Sequence, residues 1–244
     1  MSHPTHSALP DKQSVSHILN WFPENYDFNI FQDYMYGREA GQTFYYWMYD
    51  DPAAIVEIGR GGVINQFVEA RPVRGEDYAW AIDVFESLDD ILEIDFEQTS
   101  NRDLANFRLY GTTGHNLGGS GGFADGTQLL NVGYTDIIVN VGELGNDLNA
   151  VDPQNTYLAL HEIGHALGLS HPYQDPNNEN WNSRDTVMSY NIGPNGWSTS
   201  FSALDIAVLV QTWGVEDDNG RGYEGTGSND VIKGTNTHDI IAGY

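Results

Sequence analysis

Residues His161 to His171 read HEIGHALGLSH, and three of them are imidazoles spaced so that they could serve one cation. His161 and His165 are four apart, so on a helix their side chains stand one above the other on a single face. Glu162 follows the first histidine directly and can point toward a water held by the same cation. Gly168 has no Cβ, and a left-handed conformation there would end the helix and turn the chain. That reversal lets His171, which a straight helix would carry away, swing back as a third ligand. Three neutral nitrogens suit Zn2+, because they leave the ion its charge and an open position for water. The chemistry implied is hydrolytic. The ion lowers the pKa of water toward neutrality, Glu162 takes the proton as general base, and the same carboxyl later returns it to a leaving amine. A single histidine is more often structural or solvated, and HExxH alone turns up in unrelated chains. The extended pattern, with its glycine and third histidine, is what carries weight. His3, His6, His17 and His115 sit in no such pattern.

These residues need a scaffold, and the sequence offers one. A helix near Asn155 to Leu169 would carry the first two histidines, with Leu160, Ile163, Ala166 and Leu167 as the apolar face that anchors it. Thr43 to Tyr49 (TFYYWMY) is aromatic and β-favouring, ended by Asp50, Asp51 and Pro52. From Glu76 to Leu92 the apolar positions Tyr78, Ala81, Ile82, Phe85, Leu88 and Leu92 fall at helical spacing. Glu93 to Glu97 and Ala105 to Tyr110 alternate as strands do, and Thr135 to Val141 (TDIIVNV) reads as a buried strand. The glycines at 118, 119, 121 and 122 form a loop that lacks the Lys and Ser/Thr of a phosphate-binding turn. A last helix is expected from about Ser202 to Trp213, with Ser202 and Asp205 as a capping-box pair. An edge strand somewhere in Gly121 to Tyr134 would let an extended substrate backbone join the sheet.

HEIGHALGLSH followed by Pro172 resembles the zinc-binding stretch of the metzincin metallopeptidases, and within them the serralysin group. Val187-Met188-Ser189-Tyr190, with the methionine 17 residues beyond His171, is similar to that family's Met-turn. The resemblance covers most of residues 43 to 214 and is weakest in the N-terminal third. It implies an α+β catalytic domain: a twisted, mixed five-stranded sheet with an active-site helix. It also implies a zinc-dependent endopeptidase acting on proteins or peptides, with a proteinaceous inhibitor as a further partner the family admits. Carried onto this chain, Met188 becomes an apolar floor under the ligands. Tyr190 becomes a switchable metal ligand that can hydrogen-bond the developing oxyanion.

After Gly214 the composition turns to Gly, Asn, Asp and Thr. GTGSNDVIK and GTNTHDIIA, within residues 225 to 242, align Asp230 with Asp239 and Ile232 with Ile241. They resemble the nonapeptide β-roll repeat, which implies Ca2+ at Asp230 and Asp239. The expected organisation is therefore an N-terminal segment at 1–42, a peptidase domain at 43–214 and partial calcium-binding repeats at 215–244. Relatives with longer arrays leave the cell by type I secretion. The N-terminus shows no basic stretch followed by an apolar core, so a secreted protein without a cleavable leader is expected. Against 35 acidic residues stand 10 basic ones, a net charge of -25 that disfavours nucleic acid and anionic membranes. No apolar run approaches the roughly 18 residues of a membrane span. With no cysteine, thiolate metal sites, thiolate latency switches and disulfides are excluded. Two rival functions use the same features differently: a non-catalytic zinc protein, and a calcium-dependent surface or adhesion module.

Overall fold

The computed structural model describes residues 43–58, 66–73, 75–112, 122–129, 132–140 and 153–216. Strand β1 (Thr43–Met48) shows the period-2 burial that its aromatic sequence suggests: Phe44, Tyr46 and Met48 point inward. It lies between β4 (Asp95–Gln98) and β5 (Phe107–Thr112), parallel to both. Strand β7 (Val132–Asn140) runs parallel to β5, and β6 (Gly122–Leu129) returns antiparallel at the edge. The sheet is thus five-stranded and mostly parallel, in the order β4-β1-β5-β7-β6. A separate antiparallel pair, β2 (Ala54–Ile58) with β3 (Gln66–Ala70), makes a second small sheet.

Three helices complete the described part: α1 (Gly75–Asp89), α2 (Pro153–Ala166) and α3 (Ala203–Trp213). All three contribute to one core with the inward residues of the large sheet. Ala81, Phe85 and Leu88 come from α1, Leu160, Ile163 and Ala166 from α2, and Leu204, Val208, Leu209 and Trp213 from α3. Aromatic rings lock the sheet to the helices. Tyr46 stacks on Phe85 at 4.3 Å, and Trp213 meets Phe44 edge-on at 5.3 Å. Each such buried side chain is worth about 1.5–3 kcal/mol over leaving it in water. A second cluster (Tyr49, Ile58, Val68, Ala70, Tyr110, Ile138) joins the β2–β3 pair to the large sheet.

The expected elements occur with shifted ends. Helix α1 is regular to Asp89 and unwinds through a turn in which the Leu92 N–H still reaches the Leu88 carbonyl, while the Asp89 carboxylate accepts the Phe96 N–H of β4 at 2.6 Å. Helix α3 begins where the capping box places it. The Ser202 hydroxyl accepts the Asp205 N–H at 3.1 Å, and the Asp205 carboxylate accepts the Ser202 N–H at 2.8 Å. The β2–β3 pair has no counterpart among the elements that the sequence predicts. Residues 1–42 and the repeat region, with Asp230 and Asp239, lie outside the described residues.

Candidate metal centre

Helix α2 keeps one face in the core and turns the other toward the centre. Leu160 and Ile163 are buried in the core cluster, while His161 and His165 share the opposite side, their rings 4.6 Å apart. The helix ends at Ala166. Gly168 then takes φ 98, the left-handed conformation in which a Cβ would be strained, and Leu169 closes the turn through its N–H to Gly164. The reversal brings His171 back: its ring lies 4.8 Å from that of His165 and 5.3 Å from that of His161. One ring nitrogen from each of the three histidines lies within 4.8 Å of the others.

Backbone carbonyls decide which nitrogens face inward. His161 Nδ1 lies 2.8 Å from the Val187 carbonyl, and His165 Nδ1 lies 2.9 Å from the Leu169 carbonyl. A carbonyl can only accept, so each Nδ1 carries the proton and each Nε2 presents a bare lone pair. The Nε2 atoms of His161 and His171 stand 3.3 Å apart. Two nitrogens each about 2.0–2.1 Å from one tetrahedral cation would be separated by about 3.3 Å, so this pair has the spacing of two ligands of a zinc-sized ion. Burial favours the neutral imidazoles that a cation requires. It pushes His161 down to about 4, with the charge of His171 assisting, and it lowers His165 and His171 as well. Desolvation acts first in all three.

Glu162 is buried beside these histidines. Its negative charge, after desolvation, helps raise the phenol of Tyr190; it also contributes, after burial and Tyr190, to the raised phenol of Tyr157. Tyr190 remains 48% exposed at the rim, its ring 5.3 Å from that of His161 and 5.0 Å from that of His171. Its N–H donates to the Pro176 carbonyl, which joins the stretch after the metal helix to the stretch after Met188. Met188 is fully buried against α2. A Cβ at Gly164, between the two helical histidines, would sit 2.8 Å from the Met188 sulfur. The motif's other glycine is thus the gap into which the methionine packs.

The structure brings together His161, His165, His171, Glu162, Met188 and Tyr190. Sequence reasoning overlooked Tyr157. It lies one turn before His161 on the same helical face, a spacing that could have drawn attention to it. Its ring lies 5.9 Å from that of His161 and stacks on Trp197 at 4.4 Å, and its hydroxyl donates to the Ser189 carbonyl at 2.7 Å. Strand β6, inside the range expected for the edge, packs against α2.

No protein-family model matches the chain, and no curated protein matches it significantly. The fold is that of a mixed α/β protein, and the three histidines could hold a metal ion. Among the described residues, no helix is long and apolar enough to cross a membrane.

Proposed function

We propose that the chain is a zinc-dependent endopeptidase of metzincin type, similar to the serralysins, in which His161, His165 and His171 hold the ion. The observation that carries the proposal is the pair of Nε2 lone pairs 3.3 Å apart, in rings whose Nδ1 protons are committed to carbonyls or whose burial keeps them neutral. Zinc bound there supplies Lewis acidity and acidifies water.

The chain's own groups do the rest. Glu162, adjacent to the first ligand, accepts the proton of the attacking water and passes it to the departing amine. Tyr190, half in solvent and next to two ligands, donates its hydroxyl to the oxyanion that develops on the substrate carbonyl. The raised phenol keeps that proton available at neutral pH. An extended peptide pairs with the free side of edge strand β6 and is thereby aligned with the centre. Calcium at Asp230 and Asp239, and secretion, belong to the same proposal and rest on the repeat sequence.

The test is Glu162→Gln. Zinc content, measured by elemental analysis, should stay at wild-type level while hydrolysis of a casein or peptide-library substrate falls by about 10²–10⁴. Unchanged turnover would end the mechanism. A wild-type protein that binds zinc yet cleaves nothing would make it a non-catalytic zinc protein.

A further inference from the structure

The carboxylate that starts helix α3 reaches well beyond its own helix. Asp205 is fully buried. Its Oδ2 accepts the Ser202 N–H that completes the capping box, and also the Val187 N–H at 3.1 Å. Its Oδ1 accepts the Thr186 hydroxyl at 2.6 Å, and that hydroxyl in turn accepts the Met188 N–H at 3.1 Å. One side chain therefore holds the amide of Val187 directly and that of Met188 through a single hydroxyl. The Val187 carbonyl is the group that accepts the His161 Nδ1–H. Val187 is thus gripped at both ends, by Asp205 at its N–H and by a candidate ligand at its carbonyl.

We propose that Asp205 is a positioning residue for the metal centre: by fixing the Val187 backbone it sets the place and tilt of the His161 imidazole. The inference rests on the metal-binding proposal above. A buried carboxylate accepting three protons forms charge-assisted bonds in a low-dielectric setting, where they are stronger and more directional than neutral ones. Capping and positioning can be separated. Ser202→Ala removes the hydroxyl that accepts the Asp205 N–H and donates to the Asp185 carbonyl, yet leaves every bond from Asp205 to Thr186 and Val187. Asp205→Asn keeps the shape but replaces one accepting oxygen with a donor, which must face the Thr186 hydroxyl or the two amides.

The full-length protein is titrated with Zn2+ against a chromophoric chelator. The visible spectrum of its Co2+ form and its thermal midpoint are recorded alongside. Asp205→Asn should weaken zinc affinity by about ten- to a hundredfold, the range for groups that orient metal ligands, and should alter the Co2+ bands. Ser202→Ala should lower the thermal midpoint while binding zinc as tightly as wild type. Equal affinity in Asp205→Asn and wild type would overturn the proposal, as would affinity losses in both variants that simply follow their melting points. If Asp205→Asn does not fold, Thr186→Val takes its place. It removes the hydroxyl that anchors Oδ1 and so frees the carboxylate to turn away from the Val187 N–H; Asp205→Glu, which keeps the charge but displaces the acceptor from Val187, is measured with it, and unchanged zinc affinity in both overturns the proposal. Absence of zinc binding in wild type would refute the metal site itself, before any variant is compared.

Discussion

Two means of placing a ligand meet at this centre. Helix α2 sets the Cα positions of His161 and His165 by backbone periodicity, on a face opposite Leu160 and Ile163, and leaves only the tilt of their rings to the carbonyls of Val187 and Leu169. From Leu167 to Ser202 the chain contains no regular element longer than one 3-10 turn, at Pro172–Gln174, yet it supplies His171, Met188 and Tyr190. Polar side chains hold it in place. The Ser189 hydroxyl donates to the Trp181 carbonyl at 3.0 Å. The Asn191 amide donates to the carbonyls of Asn178 and Trp181, and Asp185 accepts the Asn182 N–H. A helix spreads the task of placement over many equivalent backbone bonds. The irregular stretch concentrates it in a few side chains, each of which one substitution can remove.

The largest expected effect is on the helical side and concerns the metal alone. His165→Ala should lower zinc affinity by more than about a hundredfold, beyond the cost of losing a group that merely orients a ligand, with the far-ultraviolet helix signal retained. Competition with a chelator measures the first and circular dichroism the second. Loss of the helix signal would mean that the ligand face also holds the fold.

Acid tests both halves together. In the unfolded chain the three histidines take up protons near pH 6.5, whereas burial keeps them neutral in the fold, His161 down to about 4. The unfolded state therefore binds more protons as pH falls below 6.5. The metal-free protein should lose stability from there to about pH 4, with His161 contributing up to about 1.4 kcal/mol per pH unit and the partly exposed His171 less. Urea midpoints measured with chelator at several pH values would show the decline; a flat profile would mean the rings are not buried as described.

Ser189→Ala isolates the irregular side. It removes one of the two donors to the Trp181 carbonyl, which keeps the Asn191 amide, and it takes the acceptor from the Asn191 N–H. It should cost about 1–3 kcal/mol in a denaturant melt, with α2 unaffected. The smallest effect expected is for Gly164→Ala. Alanine favours the helix by about 0.5–1 kcal/mol, but its Cβ meets the buried Met188 sulfur, so a net loss of about 1 kcal/mol or less should appear in the thermal midpoint. A net gain would show that the methionine yields easily and that the two halves are less tightly joined than their packing suggests.

Much of the scaffold was legible because period and burial agree. Thr43–Met48 is aromatic and β-favouring and alternates in burial, Gly75–Asp89 keeps its helical spacing, and the Ser202–Asp205 cap stands just before its apolar run. The hairpin of β2 and β3 was not, since Ile55 and Phe67 stand 68% and 70% exposed and blur the inside–outside pattern. Strand β6 could be assigned only to a range, because GFADGTQL carries two glycines and little alternation. At the site, the histidine and glutamate spacing was readable, while Met188 and Tyr190 came with the family resemblance. Sequence spacing could not reveal the carbonyls of Val187 and Leu169 that orient the rings, nor the reach of Asp205 to Val187. Those contacts depend on how irregular backbone folds back, for which no period exists.

Trp213 ends helix α3 with its indole N–H on the Leu167 carbonyl, at 2.9 Å, and no exposed surface. That carbonyl belongs to the turn that swings His171 home. Indole emission responds to polarity and to hydrogen bonding at the ring nitrogen, so this tryptophan doubles as an optical gauge set into the turn. Loosening of the reversal would let water reach this indole and shift its share of the emission of the chain's six tryptophans to the red. The same residue that fastens the last helix to the sheet through Phe44 can therefore signal, in light, whether the turn that places His171 is intact.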